Sequence, residues 1–410
     1  MRSGRRSTTA QAEDALVQVF REEAGRLTAR LVRIIGNFDV AEEIVQDTLL
    51  VALEKWPKDG VPDRPAAWLA TAAKRRAIDH LRRDARFRQK LELLKQELTT
   101  PESEEPDDRL RLIFTCCHPA LSREAQVALT LRAVAGFTTP EIARAFLTTE
   151  SAIAQRIVRA RRKIVEAGIP YRVPEGQDLD ERVQEVLAVL YLMFNEGYLA
   201  STGKPVRRDL AEDAEWLAGL VVRLLPAEPE AIGLLVLMRL HLARADARLD
   251  AAGDLVLLRD QDRSRWKRDL IAGAIGLLEQ AGAMRRPGPY QLQAAIAACH
   301  AEAASWEATD WPQILLLYDA LVRLLPTPVV RLNRAVALRH VQGAAEALAE
   351  VDALAGELAG YHLFHATRAE LLIELGAAEK SRAASARALE LTTNPAERAV
   401  LERRLAELDA

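Results

Sequence analysis

Apolar residues recur at helical spacing through almost the whole chain, in stretches rich in Ala, Leu, Arg and Glu that Pro and Gly cut into short lengths. No series of segments alternates apolar and polar residues between hairpin turns, which is what strands would require. An all-α fold is therefore expected. Of the 410 residues 49% are hydrophobic, which excludes disorder throughout. No apolar run approaches the ~18 residues of a membrane span, and the basic start Met1–Arg6 leads into polar residues rather than the apolar core of a signal peptide. The chain has three Cys, two of them adjacent (Cys116, Cys117), and these cannot form a disulfide framework. A reducing cytoplasm is the expected setting.

Two breaks divide the chain. Residues 97–108 contain two Pro and six acidic residues and almost nothing to bury, so 96–108 reads as a solvated acidic linker. Residues 168–180 interrupt helical periodicity on both sides. The expected segments are 10–95, 109–168 and 181–410. Charge is unevenly spread: residues 1–170 carry 29 Lys and Arg against 24 Asp and Glu, and the remainder 27 against 35. Such a split suits a nucleic-acid-binding half joined to an acidic one.

The last segment contains internal repetition. Val222-Arg223-Leu224-Leu225-Pro226 recurs as Val322-Arg323-Leu324-Leu325-Pro326, and a third helix end, Leu389-Glu390-Leu391-Thr392-Thr393-Asn394-Pro395, follows. The shifts fit a period of about 33–34 residues, that of tetratricopeptide-like helix-turn-helix repeats, whose apolar faces are buried only by stacking.

Gly136-Phe137-Thr138-Thr139-Pro140-Glu141-Ile142-Ala143-Arg144-Ala145-Phe146 reads as a short helix with Thr139 as its N-cap and Pro140 at the first helical position. After Leu147-Thr148-Thr149, a second helix from Glu150 to Lys163 buries Ile153, Ile157 and Ala160 and ends in a cationic run. This is the spacing of a helix-turn-helix that enters a major groove. Glu150, Ser151, Gln155 and Arg156 stand early enough to reach base edges, and Arg159, Arg161 and Arg162 can neutralise phosphates.

Eight Lys or Arg lie between Lys74 and Lys90, on a helix with a stripe of Trp68, Leu69, Ala72, Ile78 and Leu81 and with a Pro-rich loop (Pro57 to Pro65) before it. Cationic grooves and base-accepting loops of this kind hold single-stranded DNA. Upstream, Asp39–Leu50 forms an amphipathic helix with an acidic face.

The order of these elements resembles the extracytoplasmic-function group of bacterial sigma factors. Asp39–Trp56 resembles the part that docks on the clamp helices of the RNA polymerase core, which implies polymerase-binding roles for Asp39, Glu43, Gln46, Asp47 and Leu50. Pro65–Arg83 resembles the part that melts and reads the minus-ten element, implying DNA contacts from Trp68, Lys74, Arg75, Arg76, His80 and Arg83. Ser122–Lys163 resembles the domain that binds the minus-thirty-five element. Thr148 stands where the turn of that domain usually has Gly. The long C-terminal piece resembles the extension of a subgroup that carries a helical-repeat domain, with matching segments that include Phe114–Pro119, Phe194–Tyr198, Asp260–Trp266 and Gly288–Gln293. The resemblance implies two small helical domains and a helical-repeat domain that regulates in cis. It implies polymerase core and promoter DNA as partners, with a protein partner of the repeats also open.

Two other readings share these features: a DNA-binding regulator that does not engage polymerase, and a repeat scaffold with incidental basic helices. No phosphate loop, nucleophile elbow or dinucleotide fingerprint appears, so neither catalysis nor a cofactor is expected. Cys116-Cys117-His118 lacks a second ligand pair at zinc spacing, and no metal is expected there. Asn195, Glu196, Asp260, Asp262, Arg263 and Trp266 are expected to form a polar cluster in the C-terminal segment, as an ion-pair network or a regulatory pocket.

Overall fold

The computed structural model describes residues 23–81, 108–146, 148–198, 208–250, 255–392 and 395–409. Arg83, the basic residues beyond it and the linker up to residue 107 lie outside the described residues. Every regular element among those described is helical, apart from one isolated bridge between Leu249 and Leu255. The chain divides into two compact units, one ending at Met193 and one beginning at Phe194.

In the first unit, α1 (residues 23–35), α2 (Phe38–Asp59) and α3 (Pro65–Leu81) share one core. Asn37 starts α2 by accepting the backbone N–H groups of Asp39 and Val40 at 2.9 and 3.3 Å. Leu27, Leu31, Ile44, Val45, Trp56, Leu69, Ala73 and Ala77 are buried together. The buried stripe of α3 is therefore Leu69, Ala73 and Ala77 at i, i+4, i+8. Small residues at two of these places bring α3 close to its neighbours. Trp68 and Ile78 only flank that stripe.

α4 (Asp108–Cys116), α5 (Arg123–Ala133), α6 (Thr139–Ala145) and α7 (Glu150–Glu166) follow. α5 is buried almost all round. Its Gln126 amide satisfies the carbonyls of Cys117 and His118, at 3.2 and 2.9 Å, where α4 ends. α6 begins one residue earlier than its Pro suggests. Thr138, not Thr139, is the cap: its backbone N–H donates to Glu141 Oε2 at 2.7 Å and its hydroxyl oxygen accepts the N–H of Glu141. This reciprocal capping box outcompetes the Thr139–Pro140 start. α7 is capped by Thr149 on the N–H of Ala152 and closed by Gly168 at φ 60°. α8 (Gln177–Tyr198) then begins, and its Arg182 donates to the carbonyl of Phe114.

The second unit contains α9 (Arg208–Leu224), α10 (Pro229–Ala243), α11 (Arg268–Ala283), α12 (Pro289–Glu302), α13 (Trp311–Leu324), α14 (Pro328–Gln342), α15 (Ala344–Asp352), α16 (Ala355–Leu358), α17 (His362–Glu374), α18 (Ala378–Leu391) and α19 (Pro395–Asp409). Neighbours in sequence pack on one another along most of this succession. The recurring Leu-Pro segments occupy equivalent places. Leu225 and Leu325 each close a helix by donating to the carbonyl four residues back, at 2.8 and 2.7 Å, and a Pro-initiated helix follows. Arg334 of α14 bridges Asp319 of α13 at 2.6 Å and Glu350 of α15 at 2.5 Å, tying three successive helices together.

Candidate nucleic-acid interface

The capping by Thr149 and the inward pull of Ile153, Ile157, Ala160 and Ile164 fix the rotation of α7. Glu150, Ser151, Gln155, Arg159 and Arg162 consequently stand exposed, and Arg156 is half-buried. Arg162 also pairs with Glu166 at 2.6 Å, one turn on. Val158, which helical spacing alone does not single out, is 62% exposed between Gln155 and Arg162. An apolar side chain there suits a thymine methyl group. The turn ahead of α7 forms without Gly, closed by the N–H of Thr148 on the carbonyl of Ala143 at 3.0 Å.

Arg161 does not join this outward face. Its guanidinium donates to Asp39 and Glu42 of α2. Arg132 of α5 holds the other oxygen of the Glu42 carboxylate. Arg33 with Asp108 at 3.0 Å adds a further ion pair between α1 and α4. Tyr171 donates its hydroxyl to the carbonyl of Ala29 at 2.7 Å, and burial pushes that phenol upward in pKa. Spacing gives no sign of Arg132, Glu42 or Tyr171 acting together, since their partners lie far along the chain.

On α2, Asp39, Glu43, Gln46, Asp47 and Leu50 are all exposed at i, i+3 and i+4 intervals and form one continuous stripe. Leu50 and Leu53 are 57% and 47% exposed, so the acidic stripe ends in an apolar patch.

Arg75 and His80 of α3 are exposed, and Lys74 and Arg76 half-buried. Trp68 meets Trp56 edge to face, with ring centroids 5.6 Å apart. These two rings, with Lys55, Gly60, Val61, Pro62 and Asp63, line a cavity of about 310 Å³. Its aromatic wall suits one unstacked base, with Lys55 and Asp63 as the charged groups of its lining. Arg83 is outside the described residues.

In the second unit the expected polar cluster is not assembled. Asp260 is exposed and pairs with its neighbour Arg259 at 3.4 Å, and Asp262 accepts from the backbone and hydroxyl of Ser264. Neither bonds to Asn195 or Glu196, and Glu196 is exposed. Arg263 and Trp266 are buried as a cation–π pair, but the guanidinium donates to the carbonyls of His300 and Ala303, at 2.6 and 2.7 Å. The negative end of a helix dipole, with its unpaired carbonyls, supplies what carboxylates were expected to supply. The conspicuous Phe194 and Tyr198 turn inward, where Tyr198 is covered by the Arg248 guanidinium at 3.9 Å.

Cys116 and Cys117 are fully buried, and burial raises the Cys117 thiol to about 11, so neither is a poised thiolate. No helix among the described residues is long and apolar enough to cross a membrane.

Comparison with known proteins gives three family matches. Residues 19–87 match the family described as Sigma-70 region 2, and residues 111–164 match Sigma-70, region 4. Residues 182–282 match a family of unknown function, DUF6596. An uncharacterized protein of Rhizobium meliloti is 46% identical over 391 residues, covering 93% of this chain and 92% of its own length. The ECF RNA polymerase sigma factor SigL of Mycobacterium tuberculosis is 35% identical over 161 residues, covering 38% of this chain and 87% of its own length. No solved structure matches the chain.

Proposed function

Because this chain belongs to the extracytoplasmic-function RNA polymerase sigma factors, we propose that its three exposed features divide the work of promoter recognition. The acidic stripe of α2 (Asp39, Glu43, Gln46, Asp47, Leu50) docks on the polymerase core. The basic α3 and the Trp56–Trp68 cavity take melted minus-ten DNA, through Trp68, Lys74, Arg75, Arg76 and His80, with Arg83 beyond the described end. The outward face of α7 reads the minus-thirty-five element, with Glu150, Ser151, Gln155 and Arg156 towards bases and Arg159 and Arg162 towards phosphates, while Arg161 stays with the carboxylates of α2. The observation that carries this reading is their coexistence on one unit: an exposed acidic-to-apolar stripe, a cavity walled by two Trp rings, and a cationic helix whose outward face is set by its buried one.

In this reading the factor performs no catalysis and works in the cytoplasm, and polymerase does the chemistry. Its working segments are 10–95, the linker 96–108, 109–168 and 181–410. The last is a tetratricopeptide-like domain that regulates the factor in cis and offers a surface to a protein partner. Two facts support that role: the equivalent placing of the recurrent Leu-Pro segments, and the acidic balance of a segment tethered to a basic one, which gives it a high effective concentration there. Transcription by purified core on genomic fragments tests the whole. Added full-length factor is expected to create defined start sites that core alone lacks, and an unchanged transcript pattern would refute the reading.

A further inference from the structure

Two segments that stand out in the sequence, 194–198 and 260–266, meet on one loop of the second unit. The loop runs from Arg244 to Lys267, between α10 and α11, and is far longer than the few residues that join most other helices of the unit. Arg248 near its start covers the Tyr198 ring, and Arg263 near its end covers that of Trp266. The loop buries what a loop ordinarily exposes: Gln261, Arg263 and Trp266 are 7%, 8% and 3% exposed. Arg263 commits one arm, Nη1, to the carbonyls of His300 and Ala303. Its other arm, Nη2, is buried without an acceptor, and so is the indole Nε1 of Trp266. Buried donors nearly always have a partner.

Cations are in excess around these donors. Arg244 stands half-buried at the head of the loop and donates to Nδ1 of His241 at 3.0 Å. Burial, and then Arg244, hold the imidazoles of both His241 and His300 below their ordinary pKa, His300 at about 4. Burial and then Arg268 push Arg263 itself downward. Among the described residues no carboxylate pairs with Arg244, Arg263 or Arg268, and Arg268 donates to the carbonyls of Ala301 and Arg263. The carboxylate of Glu307 is felt at Arg263, but it is exposed and held by Ser305. Water can satisfy a stray N–H, but it does not neutralise clustered guanidinium groups held away from solvent. An anion does both.

We propose that this loop forms an anion site, in which Arg263, Trp266 and Arg244 bind the phosphate or carboxylate group of a small ligand. A guanidinium with one arm fixed presents the other to an oxygen in a set direction. Trp266 adds a neutral donor three residues on. The site lies just beneath the surface, since Asp262 and Ser264 on either side of Arg263 are exposed. It belongs wholly to the second unit, so it stands or falls apart from promoter recognition by the first.

Inorganic phosphate, and separately acetate, titrated calorimetrically into the full chain tests this, with chloride withdrawn to hold ionic strength constant. The parent is expected to bind at least one of them at a single saturable site with Kd below about 1 mM. At 100 times that Kd its unfolding temperature is expected to rise by about 5 °C. Preference for phosphate marks a phosphorylated ligand, and preference for acetate a carboxylate. Arg263→Lys keeps the charge but not the fork, and Arg244→Gln keeps a donor but not the charge. Each is expected to weaken binding about tenfold or more and to remove the thermal response. Arg265→Gln, which takes an exposed cation from the same loop, leaves both unchanged. Arg244 holds only one His241 nitrogen, so Arg244→Gln decides alone if Arg263→Lys does not fold. The inference is overturned if neither anion binds saturably. It is equally overturned if the parent and a folded Arg244→Gln chain bind alike, which would place the anion on the DNA-reading cations of the first unit.

Discussion

The buried carboxylate of Glu230 accepts the backbone N–H of Gln291 at 3.0 Å, joining the first turn of α10 to the first turn of α12. Its other oxygen takes the N–H of Tyr290 at 2.9 Å. Two neighbouring glycines make room. A Cβ on Gly288 would lie 2.2 Å from the Glu230 carboxyl carbon, and one on Gly233 would lie 2.6 Å from the nitrogen of Gln291. Glu230→Gln must aim an amide N–H at one of these donors, an unmet bond worth about 1–3 kcal/mol. Calorimetry of the full chain is expected to show a transition lowered by about 2–12 °C. An unshifted transition would show that the cap is dispensable.

The second unit is expected to weaken in acid. Burial, and then Arg244, Arg263 and His340, push the His300 imidazole down to about 4. The folded state therefore prefers it neutral, and the unfolded chain binds its proton first, near pH 6.5. Stability is complete above pH 6.5 and is lost as pH falls towards 4, by an amount of order 3 kcal/mol at one pKa unit per 1.4 kcal/mol. His241, pushed down by burial and then by Arg244, Arg248 and His300, steepens the loss. In urea titrations His300→Gln should flatten the slope between pH 6.5 and 4. A variant as acid-sensitive as the parent would show that other groups dominate.

Base reading and phosphate binding should separate along α7. Gln155→Ala is expected to cost about 1–3 kcal/mol on a mapped upstream element and nothing on scrambled DNA. Arg162→Ala should weaken both equally and reduce the salt slope by about one. Filter-binding titrations over a range of salt distinguish the two. Losses independent of sequence for both variants would place base reading elsewhere.

Trp68→Ala removes one wall of the Trp56–Trp68 cavity. Strand opening at a promoter, read by permanganate reactivity of thymines, is expected to fall at least tenfold while core affinity stays unchanged. Normal opening would mean that the unstacked base is held by another part of α3.

Features set within a dozen residues were legible in the sequence: the helices, the burial of Ile153, Ile157 and Ala160, and the exposure of the α2 stripe. Local competition misled at Thr139, where Pro140 marked a start that the Thr138–Glu141 box takes over. What spacing could not reveal is pairing at long range. Arg161 looks like any phosphate-binding cation, and its carboxylates lie 119 and 122 residues away. Arg263 looked like a partner for nearby aspartates, yet its acceptors are backbone carbonyls, which every residue carries and no side-chain pattern marks.

The affinity of purified polymerase core for the full chain tests the central claim most directly. The parent is expected to bind, whereas Asp47→Arg, which reverses the charge at the middle of the exposed stripe without touching the core of the unit, is expected to lose binding at least a hundredfold with its melting curve unchanged. Equal affinity of a folded Asp47→Arg chain and the parent would contradict it.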